Sequence, residues 1–245
     1  MSNPFAGFGY FIRGLGLIFR PGLRRYVAIP LLINITLFAG LLWFGAGQFE
    51  AFMDWLMPEL PEWLQWLEGV FWVLFGISAL LILFFTFSLL ANLVGGPFNG
   101  LLAEAVEFHL TGQRPDSAGG WKKMLSELLP TFIDEIKKLL HMGLWSLPFL
   151  ALFVVPVVNV IAPFTWLAFS AWMLAVEYND YPMGNHGLRA DEQKQQLGSK
   201  RLMTLGFGSA VTLATLTPLL NFLVMPAAVA GATAMWVERF RERAE

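Results

Sequence analysis

Cysteine is absent from the 245-residue chain, and charged residues are scarce. Without a thiol the chain has no disulfide framework, no thiolate nucleophile and no thiolate metal site. Only 14% of the residues are charged, against about 25% in a typical soluble domain, while 56% are hydrophobic. This composition indicates an integral membrane protein and excludes an ordinary water-soluble domain.

Four long stretches contain no Asp, Glu, Lys or Arg at all, and they define the predicted membrane segments. They cover residues 26–49, 69–103, 143–176 and 202–237. Each exceeds the about 20 residues that cross a bilayer as a helix. We therefore expect an all-α integral membrane protein with a single membrane domain, in which the first two runs are long transmembrane helices.

The distribution of charge predicts the orientation. Residues 50–68 contain acidic side chains and tryptophans but no Lys or Arg, so this acidic loop is placed on the outer face. The basic residues lie in the segments that are then cytoplasmic: 1–25, 104–142, 177–201 and 238–245. Residues 1–25 are predicted to form an interfacial helix, and both termini face the cytoplasm. We expect a multi-pass membrane protein.

With this orientation, the runs 143–176 and 202–237 must each leave and return to the same side. A 34-residue run folded at its middle gives two arms of about 17 residues, or roughly 25 Å of helix. The hydrocarbon core is about 30 Å thick. We therefore predict two re-entrant, hemi-penetrating helix hairpins.

Both hairpins share a Pro-x-x-Asn spacing near the middle, which contains Asn159 and Asn221. Interrupted segments at matching places in two repeats indicate a transport site, so both asparagines are candidate permeation residues. In a second interpretation, each asparagine caps the second arm of its hairpin.

Two polar segments join the hydrophobic runs. Residues 115–142 alternate lysines and acids with leucine and isoleucine at helical spacing, which predicts a cytoplasmic amphipathic helix. Residues 177–201 are the most polar stretch and are long enough for a loop and a short helix.

The sequence Arg-Pro-Gly-Leu-Arg-Arg, residues 20–25, precedes the first span. No Ser, Thr, Asp or Asn cap precedes it, so the N–H groups of Gly22, Leu23 and Arg24 are predicted to be free to bind an oxyanion, with Arg25 adding charge. Alternatively, Arg24 and Arg25 are membrane anchors that contact lipid phosphates.

Glu104 and Glu107 follow the second run on one helix face. At a membrane edge they accept a proton, pair with Arg189 from the polar connector, form part of an ion path, or form a solvated helix end. His109, His141 and His186 have no metal-ligand spacing, so a surface or core role is expected for each.

The sequence resembles the bacterial CysZ sulfate transporter family across nearly its whole length. The matching stretches are RPGLRRYVAIPLLIN, GPFNGLLAEAVE, AWMLAVEYNDYPMGNH, LGFG and PLLNFLVMPAAVAGATAMW. The resemblance implies a protein of the bacterial inner (plasma) membrane that imports sulfate for cysteine biosynthesis, with two long spanning helices and two hemi-penetrating helix pairs. It also places the family's sulfate site on Gly22, Leu23, Arg24 and Arg25.

The leading hypothesis is therefore a sulfate permease, with proton coupling implied by the resemblance and a proton-responsive core formed by Glu104, Glu107 and Arg189. We expect it to be no enzyme, to need no cofactor or metal, and to bind no nucleic acid. Its expected partners are sulfate, membrane lipids and further copies of itself as a homo-oligomer. The alternative is a non-transporting scaffold that binds anionic lipid or protein partners.

Overall fold

The computed structural model describes residues 3–56, 61–113, 140, 142–155 and 157–241, and every regular element within these ranges is helical. Short 3₁₀ turns occupy Glu62–Leu64 and Val158–Val160. The α-helices are α1 (Pro4–Leu17), α2 (Arg25–Leu56), α3 (Leu67–Thr111), α4 (Met142–Val154), α5 (Ala162–Gly184), α6 (Ala190–Ser199), α7 (Arg201–Thr215) and α8 (Pro218–Arg239). The predicted all-α class is confirmed for this part of the chain.

Helix α2 has the length and composition of a membrane span. It contains 32 residues, and it is the one helix among the described residues that is both long and apolar enough to cross a bilayer. Large apolar side chains such as Trp43 and Phe44 are exposed along it, as suits a surface in contact with lipid. Residues 50–56 of the expected outer loop belong to this helix.

Helix α3 is longer still, with 45 residues, and it carries Glu104 and Glu107 in its last turns. The predicted amphipathic helix over residues 115–142 lies almost entirely outside the described residues. The polar connector 177–201 contains the end of α5, a short loop and α6.

The chain divides into two compact units. One unit, Ala28–Gly96, contains most of α2 and the first part of α3. Its two helices meet through aromatic rings: Phe49 stacks on Phe75 at 4.4 Å between ring centroids and contacts the edge of Trp72 at 4.8 Å. Such contacts stabilise an antiparallel helix pair without any polar group.

The other unit, Met1–Val27 with Pro97–Glu245, contains the remaining helices. Helices α1 and α5 each pack against both α7 and α8, around a core that includes Leu102, Phe207 and Trp236. Glycines let α1 approach α8 closely, because a methyl group at Gly14 would overlap the Ala227 carbonyl oxygen.

The two predicted hairpins are helix pairs, each interrupted where its Pro-x-x-Asn sequence begins. Helix α4 ends at Val154 and α5 begins at Ala162, with ring stacking between Phe149 and Phe169 at 4.5 Å. Helix α7 ends at Thr215 and α8 begins at Pro218. The chain therefore reverses near the middle of both uncharged runs.

Candidate functional site

The loop between α1 and α2 is a compact turn with a buried underside. The carbonyl of Arg20 accepts hydrogen bonds from the N–H groups of Leu23 at 3.1 Å and Arg24 at 3.2 Å. Ile18 and Leu23 are 2% and 3% exposed and fix the turn to the hydrophobic core. We call residues 20–25 the arginine loop.

These bonds correct part of the sequence-based expectation. The N–H groups of Leu23 and Arg24 are not free, because the turn geometry brings the Arg20 carbonyl to both of them. Among the described residues, no acceptor meets the N–H of Gly22. Gly22 has φ +89°, in the left-handed region that glycine adopts without strain.

The side chains of Arg24 and Arg25 are both exposed at the start of α2. The Nη2 atom of Arg25 donates to the Tyr26 hydroxyl at 3.0 Å, and its guanidinium lies 4.9 Å from the centre of the Tyr26 ring. Tyr26 thereby orients Arg25. Two adjacent guanidinium groups beside a helix N-terminus are suited to bind a multiply charged oxyanion.

A second polar group lies inside the same unit, on α3. Glu107 is only 1% exposed, and both its carboxylate oxygens lie 2.9 Å from the Nε2 atom of His186. Arg241, just beyond α8, places Nη1 3.3 Å from the same carboxylate and donates from Nη2 to the Gln113 side chain at 3.1 Å. A buried carboxylate requires such partners, because burial without them is costly.

The other predicted members of this group lie elsewhere. Glu104 is partly buried one turn earlier on α3. Arg189 is exposed at the start of α6, where its backbone N–H donates to Glu192 at 2.7 Å. Within the described residues, Glu107 is paired with His186 and Arg241, and not with Arg189.

The two hairpin asparagines are both exposed near the breaks. Asn159 lies in the 3₁₀ turn before α5, and Asn221 lies in the first turn of α8. The residues that cap these helices are Ile161 and Thr217, and neither makes a side-chain capping bond. The expectation that the asparagines cap the second arms was therefore wrong, because each helix begins at a different residue.

The sequence analysis assigned His186 only a surface or core role and did not single out Arg241. The one signal in the sequence was Glu107 itself, which follows the apolar residues Ala103 and Val106 on a helix. Both neighbours are buried, and a carboxylate that is buried with them needs a partner. The side chain that supplies it was not recognisable, because His186 and Glu107 are 79 residues apart. Among the described residues there is no cluster of three His, Asp or Glu side chains suited to hold a metal ion.

The described residues form helices, one of them an apolar span, together with an exposed arginine loop, and this is the character of a helical membrane protein. The family model described as sulfate transporter CysZ/etoposide-induced protein 2.4 matches residues 10–226. A Pseudomonas aeruginosa PAO1 protein named sulfate transporter CysZ is 45% identical over 96% of both chains. A protein of the same name from Pseudomonas fluorescens Pf0-1 is 44% identical over 96% of this chain and 92% of its own.

The chain therefore belongs to the sulfate transporter CysZ/etoposide-induced protein 2.4 family, and it is a membrane protein. The resemblance predicted from the sequence is confirmed.

Proposed function

We propose that this protein carries sulfate across the bacterial inner membrane into the cytoplasm, where it supplies cysteine biosynthesis. The observation that carries the proposal is the arginine loop, whose Gly22, Arg24 and Arg25 present an N–H group and two exposed guanidinium groups. Family membership and the names of the similar Pseudomonas proteins support sulfate as the anion.

Recognition at the loop requires no covalent chemistry. Arginine presents paired N–H donors that match two oxygens of a tetrahedral anion, and the positive end of α2 adds to the attraction. Leu23 contributes by holding the turn on the core rather than by contacting the ion. The protein therefore binds and passes the ion without altering it.

The two helix pairs α4–α5 and α7–α8 enter the membrane without crossing it. Helix α7 has 15 residues, which corresponds to about 22 Å of helix against a hydrocarbon core of about 30 Å. Asn159 and Asn221 then lie near the tips of the two pairs and offer polar groups to a passing ion. The termini lie on the cytoplasmic side and residues 50–68 on the outer side. Such helix pairs also favour association with further copies of the chain and with lipid.

Transport responds to protons through the buried Glu107, with Glu104 one turn away on the same helix. Glu107 is held between His186 and Arg241, so a change in its charge alters the electrostatic balance of the protein interior. Arg189 contributes from the exposed start of α6 by attracting anions at the cytoplasmic face.

The test is uptake of radiolabelled sulfate into liposomes that contain the purified protein, with a pH gradient applied in either direction. Arg24→Ala is expected to abolish uptake while the protein stays folded. Arg201→Ala, which removes another exposed arginine at a helix start, is the matched control and is expected to retain uptake. Normal uptake by folded Arg24→Ala protein would refute the assignment, and no uptake by the parent protein in either gradient would favour a membrane scaffold.

A further inference from the structure

Helix α1 has an exposed apolar face in addition to the face that packs on α7 and α8. Phe5, Phe8 and Ile12 are 82%, 41% and 52% exposed. Their spacing of three and four residues places them on one side of the helix, while Tyr10 and Gly14 are buried on the other side. On a membrane protein, an exposed apolar helix face of this kind is suited to contact acyl chains.

Four polar side chains join α1 to the end of α8 beside this face. One carboxylate oxygen of Glu238 accepts from Arg13, and the other accepts from the Tyr10 hydroxyl at 2.9 Å. The Nε atom of Arg239 donates to the same hydroxyl at 2.9 Å. Arg13 follows Ile12 directly, about 100° further around α1, so it borders the apolar face. We call Tyr10, Arg13, Glu238 and Arg239 the α1–α8 cluster.

The α1–α8 cluster carries more positive than negative charge. Its two guanidinium groups are opposed by one carboxylate, which gives a net charge of +1. Both arginines are exposed, and among the described residues Arg13 bonds only through Nη1 and Arg239 only through Nε. Lys200, whose Nζ donates to the Arg239 backbone carbonyl, is a further cation at this helix end. Several guanidinium N–H groups therefore remain to bind an anion at the surface.

We propose that the α1–α8 cluster and the apolar face of α1 together bind an anionic phospholipid. The phosphate lies on Arg13 and Arg239, and the acyl chains lie along Phe5, Phe8 and Ile12. A phosphatidylglycerol headgroup brings one negative charge, which matches the excess charge of the cluster. A zwitterionic headgroup brings an ammonium group as well, which the arginines repel. The site is separate from the arginine loop and does not depend on sulfate transport.

The composition of the N-terminal segment supports an anionic lipid as the partner. Residues 1–25 contain four arginines and no Asp, Glu or Lys, although the whole chain has a net charge of −2. Positive charge is thus concentrated on the segment that also exposes aromatic side chains. Basic amphipathic helices with an aromatic face bind anionic membrane surfaces through both features. A free phosphate or sulfate ion would leave the apolar face uncovered.

The test uses a fluorophore attached to a single introduced thiol. The chain contains no cysteine, so Gly9→Cys provides a unique attachment point on α1. Gly9 is exposed, and a side chain there would meet no atom within 4 Å. The labelled protein in detergent is titrated with phospholipids brominated in their acyl chains, which quench a nearby fluorophore. Brominated phosphatidylglycerol is expected to quench saturably at mole fractions at which brominated phosphatidylcholine quenches little.

Removal of the arginines should abolish this preference. Each of Arg13→Gln and Arg239→Gln is expected to weaken the affinity for phosphatidylglycerol about fivefold, which corresponds to about 1 kcal/mol for a basic residue near an anionic surface. The double variant is expected to bind the two lipids alike. Arg201→Gln, which removes an exposed arginine at the start of α7, is the matched control and should keep the preference.

Glu238→Gln separates the effect of charge from loosening of the helix contact. It breaks the same ion pair as Arg13→Gln, but it raises the net charge of the cluster from +1 to +2. The preference for phosphatidylglycerol is therefore expected to increase in this variant. A decrease like that in the arginine variants would mean that the cluster acts only by holding α1 to α8, and would overturn the lipid site.

Two further results would overturn the proposal. One is equal quenching by the two brominated lipids in the folded, labelled protein. The other is complete relief of quenching by sodium phosphate at the concentration of the lipid, which would show that the cluster binds a free phosphate ion. Neither result bears on sulfate transport, which is decided by the uptake of Arg24→Ala protein.

Discussion

The Nε2 atom of His186 lies 2.9 Å from each carboxylate oxygen of Glu107, which ties the loop after α5 to the end of α3. Arg241 reaches the same carboxylate from beyond the end of α8. Three segments that are distant in the sequence therefore meet at one buried negative charge. The effect of this contact on the stability of the protein can be measured separately from its effect on transport.

Replacing Glu107 with alanine is expected to destabilise the protein by about 2 to 3 kcal/mol, because the partly buried side chains of His186 and Arg241 lose the carboxylate that they contact. Thermal unfolding of the purified protein in detergent measures this loss. His109→Ala, at an exposed position on the same helix, is the control and should change stability by less than about 0.5 kcal/mol. Equal unfolding temperatures for both variants would show that the buried contacts contribute no stability.

Replacing Gly22 with alanine is expected to strain the arginine loop, because φ is +89° at this position. The left-handed conformation costs an alanine about 1 to 2 kcal/mol, which the loop relieves by changing shape. Sulfate binding to the purified protein, measured by titration, should weaken. Gly112→Ala is the matched control: it has φ +73° at the end of α3, so it should lower stability and leave sulfate affinity unchanged. Equal affinity losses in both variants would mean that the effect is not specific to the loop.

Replacing Gly14 with alanine should separate α1 from α8, because the added methyl group would overlap the Ala227 carbonyl oxygen. Overpacking of this kind costs about 1 to 3 kcal/mol. Gly16→Ala places the same methyl group on the same helix where no atom lies within 4 Å, so its unfolding temperature should match or exceed that of the parent protein. If both variants unfold alike, the close approach of the two helices is not a source of stability.

Glu238 should make stability depend on pH in the acidic range. Burial by itself would raise the pKa of this carboxyl, but hydrogen bonds from Arg13 and Tyr10 and the charge of Arg239 hold it below its ordinary value. The contribution of ionised Glu238 to the free energy of unfolding is therefore complete above the ordinary carboxyl pKa of about 4.3. It is lost as the pH falls through the lower pKa that Glu238 has in the folded protein.

The measurement is the unfolding temperature between about pH 6 and pH 3, over the range where an ordinary carboxyl titrates. Glu238→Gln should show a shallower decline than the parent protein. Glu50→Gln, at an exposed acid of α2, controls for the removal of one charge. An unchanged slope in Glu238→Gln would contradict the prediction.

Much of the fold could be predicted from the sequence, because a membrane restricts which secondary structures a chain can adopt inside it. Uncharged runs of sufficient length predict helices, and proline with asparagine in mid-run predicts the breaks that occur between α4 and α5 and between α7 and α8. The arginine loop was likewise identifiable from six consecutive residues. Local sequence was sufficient there, since glycine and proline act on the backbone of their immediate neighbours.

Other features depended on contacts that local pattern does not encode. The position of the Arg20 carbonyl determines which amide groups of the arginine loop are free, because it accepts from Leu23 and Arg24. Helices α5 and α8 are capped by Ile161 and Thr217 rather than by the asparagines. In both places backbone N–H and C=O groups pair with one another, and the types of side chain in the sequence do not indicate which groups pair.

By itself the sequence determined that this is a helical membrane protein of the CysZ family with an arginine-rich turn before its first span. Only the tertiary structure decided that Glu107 contacts His186 and Arg241 and that the ring of Trp236 lies 5.4 Å from the ring of His186. The physical reason is that helical periodicity fixes which face of a segment is buried. Which residue contacts a side chain on that face depends on how segments far apart in the chain pack together.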